Sequence, residues 1–262
     1  MVITGRSGLF GLLALAGLVA PACGGPRFQV LPPPAIAATV TNRGDVVYVG
    51  RVFPLHGTSA QPTYVYQRRV EEQQGRLVST HVTRDLGGAI QLAESASHSS
   101  DYVLSEYTLY ANQLGQSGGI RVQDHQATFR ITDGNKNERV HVERLTGDVV
   151  VGPTLVGYIF RRLDGLTRGE IAKVRLAVLD RMETIGFDLA AVPAPAGQTR
   201  IQMTPSSFLI RLAVDPVLFT FETSTRKLVR LEGRVPTKVR AGDRWNDFDA
   251  RVEYDFVAAS YR

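Results

Sequence analysis

The chain has almost no cysteine. Cys23 is the only one in 262 residues, so no disulfide can form within it and a disulfide-stapled small domain is excluded. Long hydrophobic runs are missing too. No interior stretch approaches the roughly 18 to 20 apolar residues that span a bilayer as a helix, which excludes a helical membrane protein. Charge of one sign is not in large excess: 30 lysines and arginines face 25 aspartates and glutamates, a formal net charge of +5. That surplus is too small and too scattered for a nucleic-acid-binding surface. What is present is 44% hydrophobic and 21% charged residues, enough apolar material for one sizeable core.

Arg6 precedes an apolar run from Leu9 to Ala20, and small residues follow at Ala20-Pro21-Ala22 before Cys23. This order is that of a cleaved export signal, and the run is too short to cross a bilayer. Residues 1–22 are therefore expected to be a signal peptide, which places the rest outside the cytoplasm. The segment Val19-Ala20-Pro21-Ala22-Cys23 resembles the lipobox of bacterial lipoproteins, in which the cysteine becomes the lipid-bearing first residue of the mature chain. Ordinary cleavage at the same Ala-x-Ala, or later at Ala35-Ile36-Ala37, remains the alternative. The resemblance implies a membrane contact through acylated Cys23, each buried methylene contributing about 0.8 kcal/mol. In such lipoproteins Asp after the cysteine commonly signals inner-membrane retention. Gly24 at that place implies the outer membrane, facing the periplasm.

Residues 23–45 are rich in Gly, Pro and small side chains with no sustained period, as suits a flexible tether. From residue 46 to 262 the chain reads as one β-rich domain with period-2 alternation, the mark of strands with one buried face. Ile185, Phe187 and Leu189 alternate with Gly186 and Asp188. Phe208, Ile210, Leu212 and Val214 form a second set, Val217, Phe219 and Phe221 a third, and Val252, Tyr254 and Phe256 a fourth. Ala172–178 and seven runs between residues 63 and 145 read similarly. Gln74-Gly75, Gly87-Gly88, Gly118-Gly119, Asp133-Gly134-Asn135 and Gly147-Asp148 supply the turns. About a dozen strands in meander order predict a mainly β fold, a curved antiparallel sheet closed or half-open as a barrel. One segment differs. Pro153 opens PTLVGYIFRRLDGL, whose apolar residues recur at four-residue spacing before Gly165, so a single helix is expected to plug the curved sheet.

No motif supplies a chemistry. Gly115-Gln116-Ser117-Gly118-Gly119 spells a nucleophile elbow but is followed by a strand-like run, where the elbow needs a helix. His56, His81, His98, His125 and His141 show no metal-ligand spacing. His141 and Glu143 share a strand face without a third partner, and Asp243, Asp247 and Asp249 around Trp245 lack the Gly and terminal Glu of a calcium loop. No catalytic residue, metal or cofactor is assigned, and the protein is expected not to be an enzyme. The remaining candidate is the aromatic set Phe187, Phe208, Phe219, Phe221 and Tyr254, either ordinary core or the wall of a site for an apolar ligand.

Residues 219–233, FTFETSTRKLVRLEG, and residues 249–256, DARVEYDF, together with the lipobox-like cysteine and the plugging helix, resemble the lipoprotein-localisation-factor-like envelope proteins. That resemblance implies an unclosed β-barrel and the binding of acyl chains. Two functions are therefore expected: an exported, noncatalytic lipoprotein holding an apolar ligand, or a structural or assembly protein of the envelope with a packed interior and a protein partner. A transmembrane β-barrel ranks third, because the strands are short and uneven. Replacing Cys23 with Ser should release the mature protein from membranes or leave the precursor unprocessed in fractionation. A Cys23→Ser chain that stays with membranes at the wild-type mature mass would overturn the lipid anchor.

Overall fold

The computed structural model describes residues 44–258 apart from 136 and 213. The signal-like segment, Cys23 and nearly all of the tether lie outside the described residues. Strands β1 (Asp45–Pro54), β2 (Tyr64–Gln73), β3 (Arg76–Asp85), β4 (Ile90–His98) and β5 (Leu104–Ala111) are followed by β6 (Gln116–Gln123), β7 (Gln126–Thr132) and β8 (Glu138–Arg144). The short β9 (Val149–Val150) leads into helix α1 (Gly152–Thr167), then β10 (Ala172–Val178), β11 (Glu183–Val192) and β12 (Gln198–Pro205). A single helical turn, α2 (Phe208–Arg211), precedes β13 (Val217–Glu222), β14 (Leu228–Ala241) and β15 (Arg244–Phe256). All 15 strands join one sheet in the order β8-β7-β6-β5-β4-β3-β2-β1-β15-β14-β13-β12-β11-β10-β9. Every neighbouring pair is antiparallel except β9 with β10. Tight turns make this meander possible: Gln74-Gly75 and Asp124-His125 carry positive φ at both positions, the geometry that matches the right-handed twist of a hairpin.

The sheet rolls past closure. Its end strands β8 and β9 do not pair with each other. Instead Ala177, Leu179 and Met182, on and after β10, pack into one cluster with Ile120, Phe129 and Ile131 from β6 and β7. Val174, Ile185 and Phe187 on the same two-strand layer face the other way, into the main core. Strands β10 and β11 thus lie inside the layer made by β6 to β8, with apolar contacts on both faces. Glu143 on β8 spans the seam, accepting from Arg175 Nη2 (3.0 Å), Thr184 Oγ1 (2.6 Å) and the Thr184 backbone N–H (2.7 Å).

Helix α1 fills the inner face. Leu155, Val156, Tyr158, Ile159, Leu163 and Leu166 join Val52, Phe187, Ile201, Phe219, Phe221, Val252 and Tyr254 in a single core. Each such side chain stabilises by roughly 1.5 to 3 kcal/mol when fully buried. Pro153 stands in the first helical turn, where its missing N–H costs no intrahelical bond. Asp148 accepts from Tyr158 Oη and Arg162 Nη2, both at 3.1 Å, and Arg226 pairs with Asp164 at 3.1 Å, so the middle and C-terminal half of the helix are tied to the sheet's loops. The opposite mouth is crossed by the β14–β15 hairpin, which breaks register between Val235 and Lys238. There the Lys238 backbone N–H donates to Gln113 Oε1 (2.8 Å), while Gln113 Nε2 (2.9 Å) and Tyr64 Oη (2.7 Å) donate to the Lys238 carbonyl. Gln113 belongs to the turn after β5, far from β14 in strand order.

Two expectations are corrected. The alternation over residues 208–214 does not form a strand: the β12–β13 register, Gln198↔Glu222 to Met203↔Val217, leaves the intervening residues no neighbour to pair with. Of these, Phe208–Arg211 fold as α2, with Ile210 alone among its apolar side chains packed on the core. Gly118-Gly119 is not a turn but lies inside β6. A Cβ on Gly118 would stand 2.4 Å from the Arg130 carbonyl and 2.9 Å from Leu179, so glycine here permits the two layers to approach. Strands β12 and β14 were hidden from the alternation reading by their polar residues and by Gly233 and Pro236.

Gly157 sets how closely α1 can approach the wall, because a Cβ there would meet the Tyr102 ring at 2.2 Å. Gly157→Ala should therefore destabilise by about 1 to 3 kcal/mol despite alanine's better helix propensity. Denaturant unfolding checks this, with a lowered midpoint and an unchanged slope expected.

Candidate functional site

The predicted aromatic set is only partly brought together. Phe187, Phe219, Phe221 and Tyr254 lie in the core packed around α1. Phe208 does not join them: it is 70% exposed on α2, beside exposed Leu209 and Leu212. Its outward position follows from the change of element, since a helical turn cannot keep the period-2 face that the strand reading required. Cys23 lies outside the described residues. His141 and Glu143 share the inner face of β8 as expected, but Glu143 is committed to Arg175 and Thr184. Asp247 and Asp249 are held by Arg234, and Asp247 also by Lys238 at 2.6 Å, which makes the acidic loop an ion-pair network. Among the described residues no group of three His, Asp or Glu side chains is gathered for a metal.

The structure assembles a different cluster, one that the sequence reading passed over. Arg68 on β2, Ser79 and His81 on β3, and Glu94 and His98 on β4 are all buried. Their placement follows from strand phase. Glu94 and His98 alternate in step with Leu92 and Ala96, and Arg68 in step with Tyr64 and Val70, so each polar residue occupies a position reserved for the inner face. That phase was the available signal. The histidines show no site spacing along the chain because β-pairing across a hairpin brings together residues that are far apart in sequence.

The cluster is a connected chain of hydrogen bonds. Arg68 Nη2 donates to Ser79 Oγ at 2.8 Å. Ser79 Oγ is 2.8 Å from His98 Nε2, and His98 Nδ1 is 2.8 Å from the Ser99 carbonyl. A carbonyl only accepts, so the His98 proton resides on Nδ1, leaving Nε2 to accept from the serine hydroxyl. The His98 ring stacks on Tyr102 at 4.8 Å between centroids. The Arg68 guanidinium sits 5.8 Å and 6.0 Å from the ring centres of Tyr48 and Tyr102.

Glu94 stands between this chain and the helix. Tyr107 Oη donates to its Oε1 at 2.7 Å, and the same oxygen lies 3.1 Å from where a Cβ on Gly152 would be, at the N-terminus of α1. Burial raises its pKa to about 7, with the Tyr107 hydrogen bond pulling the other way. Burial, assisted by Arg68, lowers His81 to about 3. For His98, burial outweighs the raising effect of its Ser99 bond, and Arg68 adds to the fall, to about 4. His81 Nδ1 and Glu94 Oε2 are 3.9 Å apart, too far for a hydrogen bond, and with these pKa values both groups are neutral near pH 6, so no ion pair forms there.

A serine hydroxyl bonded to an imidazole is the contact from which nucleophilic catalysis is built. Here Ser79 is completely buried, its oxygen already accepts from Arg68, and the imidazole is a weakened base. The arrangement instead joins three strands to one another, with the Tyr107 hydroxyl tying Glu94 of β4 to β5.

The raised Glu94 pKa gives a sign that can be checked. Between pH 4.5 and about 7 the folded protein holds a proton that the unfolded chain has lost, so this group's contribution is complete below 4.5 and fades as pH rises through 7. Glu94→Gln removes that dependence. Relative to wild type, the variant should gain about 3 kcal/mol between pH 4.5 and pH 8, from the size of the shift at 1.36 kcal/mol per unit. The two histidines oppose this trend, losing stability as pH falls from 6.5 toward about 3 to 4, but they are common to both proteins and cancel in the difference. Urea unfolding of the pair across that range measures it.

No protein-family model matches the chain, and no curated protein matches its sequence. Among solved structures it is similar to a crystal structure of a β-barrel-like protein, of the domain of unknown function DUF1849, from Brucella abortus. The TM-score is 0.47 at 9% identity, over 82% of this chain and 99% of that one.

Proposed function

We propose that this is an exported, noncatalytic lipoprotein of the cell envelope that works through its surface, as a structural or assembly component. Acylated Cys23 holds it at the outer membrane, and the tether carries the β body away from the bilayer. The observation that supports a surface role over an apolar-ligand carrier is the occupation of the concave face by α1. Phe187, Phe219, Phe221 and Tyr254, the aromatic wall that a ligand would need, are all in contact with the core that the helix completes. The β14–β15 hairpin crosses the other mouth. Two concavities, of about 560 and 450 Å3, lie on the outside along β8 and its flanking loops, and neither is lined by this aromatic set.

Solvent extraction and native mass spectrometry of the Cys23→Ser protein should return the polypeptide mass alone. A stoichiometric apolar molecule that leaves with solvent would overturn the surface reading and restore a carrier.

A further inference from the structure

The sheet leaves one long edge open. In β8 the odd-numbered residues bond to β7, a phase fixed by the flanking bonds from the Leu145 N–H to the His125 carbonyl and from the Asp133 N–H to the Asn137 carbonyl. The N–H and C=O groups of Val140 and Val142 therefore point away from β7, along the free edge. Their side chains are 51% and 52% exposed on the outer face. An edge of this kind is a template for another strand.

Beside this edge lies the groove of about 560 Å3, where β8 passes over the β10–β11 turn, lined by Arg139, Val140, His141, Arg181, Met182 and Glu183. Its charge is two guanidiniums against one carboxylate, and Glu183 is paired with Arg181 at 3.5 Å. Arg139 has no carboxylate within ion-pair distance among the described residues. Asp133, whose carboxylate feels the Arg139 charge, already accepts from the Asn135 and Asn137 backbone N–H groups.

Resting on the surface role proposed above, we infer that β8 is a docking edge for an extended segment of another protein, one that alternates apolar with acidic residues. Its backbone continues the ladder at Val140 and Val142. Its apolar side chains lie beside those two valines on the outer face, and its carboxylates turn inward to Arg139 and Arg181. The chain's own tether does not fit, because residues 24–43 carry Arg27 and Arg43 and no acidic residue.

The test uses the whole exported protein and two labelled synthetic peptides about as long as β8, one alternating valine with aspartate and glutamate, the other alternating valine with lysine. Fluorescence anisotropy should show saturable binding of the acidic peptide, about tenfold or more tighter than the basic one. Arg139→Glu should reverse that order. Val142→Pro, which removes an outward N–H and leaves the β7 bonds untouched, should abolish binding of the acidic peptide. If Val142→Pro lowers the melting temperature, the reversal in Arg139→Glu decides alone. Equal binding of the two peptides, no binding of either, or a wild-type preference retained in Arg139→Glu overturns the proposal. A dimer on light scattering that Val142→Pro dissociates would overturn it as well, assigning the edge to a second copy. A lipid found in the interior would sink the surface role while leaving this result readable.

Discussion

A sheet that does not close must bury one whole apolar face and account for two free edges. In this protein the first demand is met by wrapping the sheet past itself, while the edge of β8 stays open. The β10–β11 layer turns inward beneath β6 to β8, so that Leu179 and Met182 are covered from one side while Val174 and Phe187 are covered from the other. The remaining concave surface is wide enough to take a helix, and α1 completes the core. Burying that face is the large favourable term in the fold. The seam itself is held by far smaller contributions, such as the partly buried Glu143 interactions with Arg175 and Thr184.

The buried polar cluster belongs to the same economy of space. An arginine, two histidines and a glutamate are costly to remove from water unless their partners travel with them. Tyr107 supplies one for Glu94, and Ser79 and Ser99 supply others for Arg68 and His98. A mutually dependent set of this kind stabilises less than an apolar core of equal volume but tolerates fewer alternative packings. Its hydrogen bonds run between β2, β3 and β4, and Glu94 abuts the first turn of α1. Glu94 is the member whose protonation changes nearest neutrality, because burial opposes its charge more strongly than one tyrosine hydroxyl supports it.

The chemically distinctive groups of this molecule divide between its centre and its periphery. The residues with the most perturbed protonation are sealed under α1, whereas the unsatisfied features lie on the periphery: the free edge of β8 and the apolar turn at Phe208, Leu209 and Leu212. A rolled β fold does not by itself specify a ligand or a partner. The edge geometry, with valines outward and Arg139 inward, carries more information than the topology does.

Much of the architecture was legible in the residues because it depends on local rules. Period-2 alternation located most strands, positive-φ turn sequences located the hairpins, and the four-residue spacing after Pro153 located α1. Those signals are carried by neighbours in sequence, and they determined a mainly β meander with one helix against its inner face. The tertiary structure decided the rest. Phe208 left the predicted aromatic wall because its segment had no strand to pair with, and Gly118 stayed in a strand because a second layer presses on it. Arg68, Ser79, Glu94 and His98 became one cluster only when ladder pairing set distant positions side by side. Alternation states that a residue faces inward, but which residues it meets there depends on how far the sheet curls, and that curl is a property of all its strands packed together.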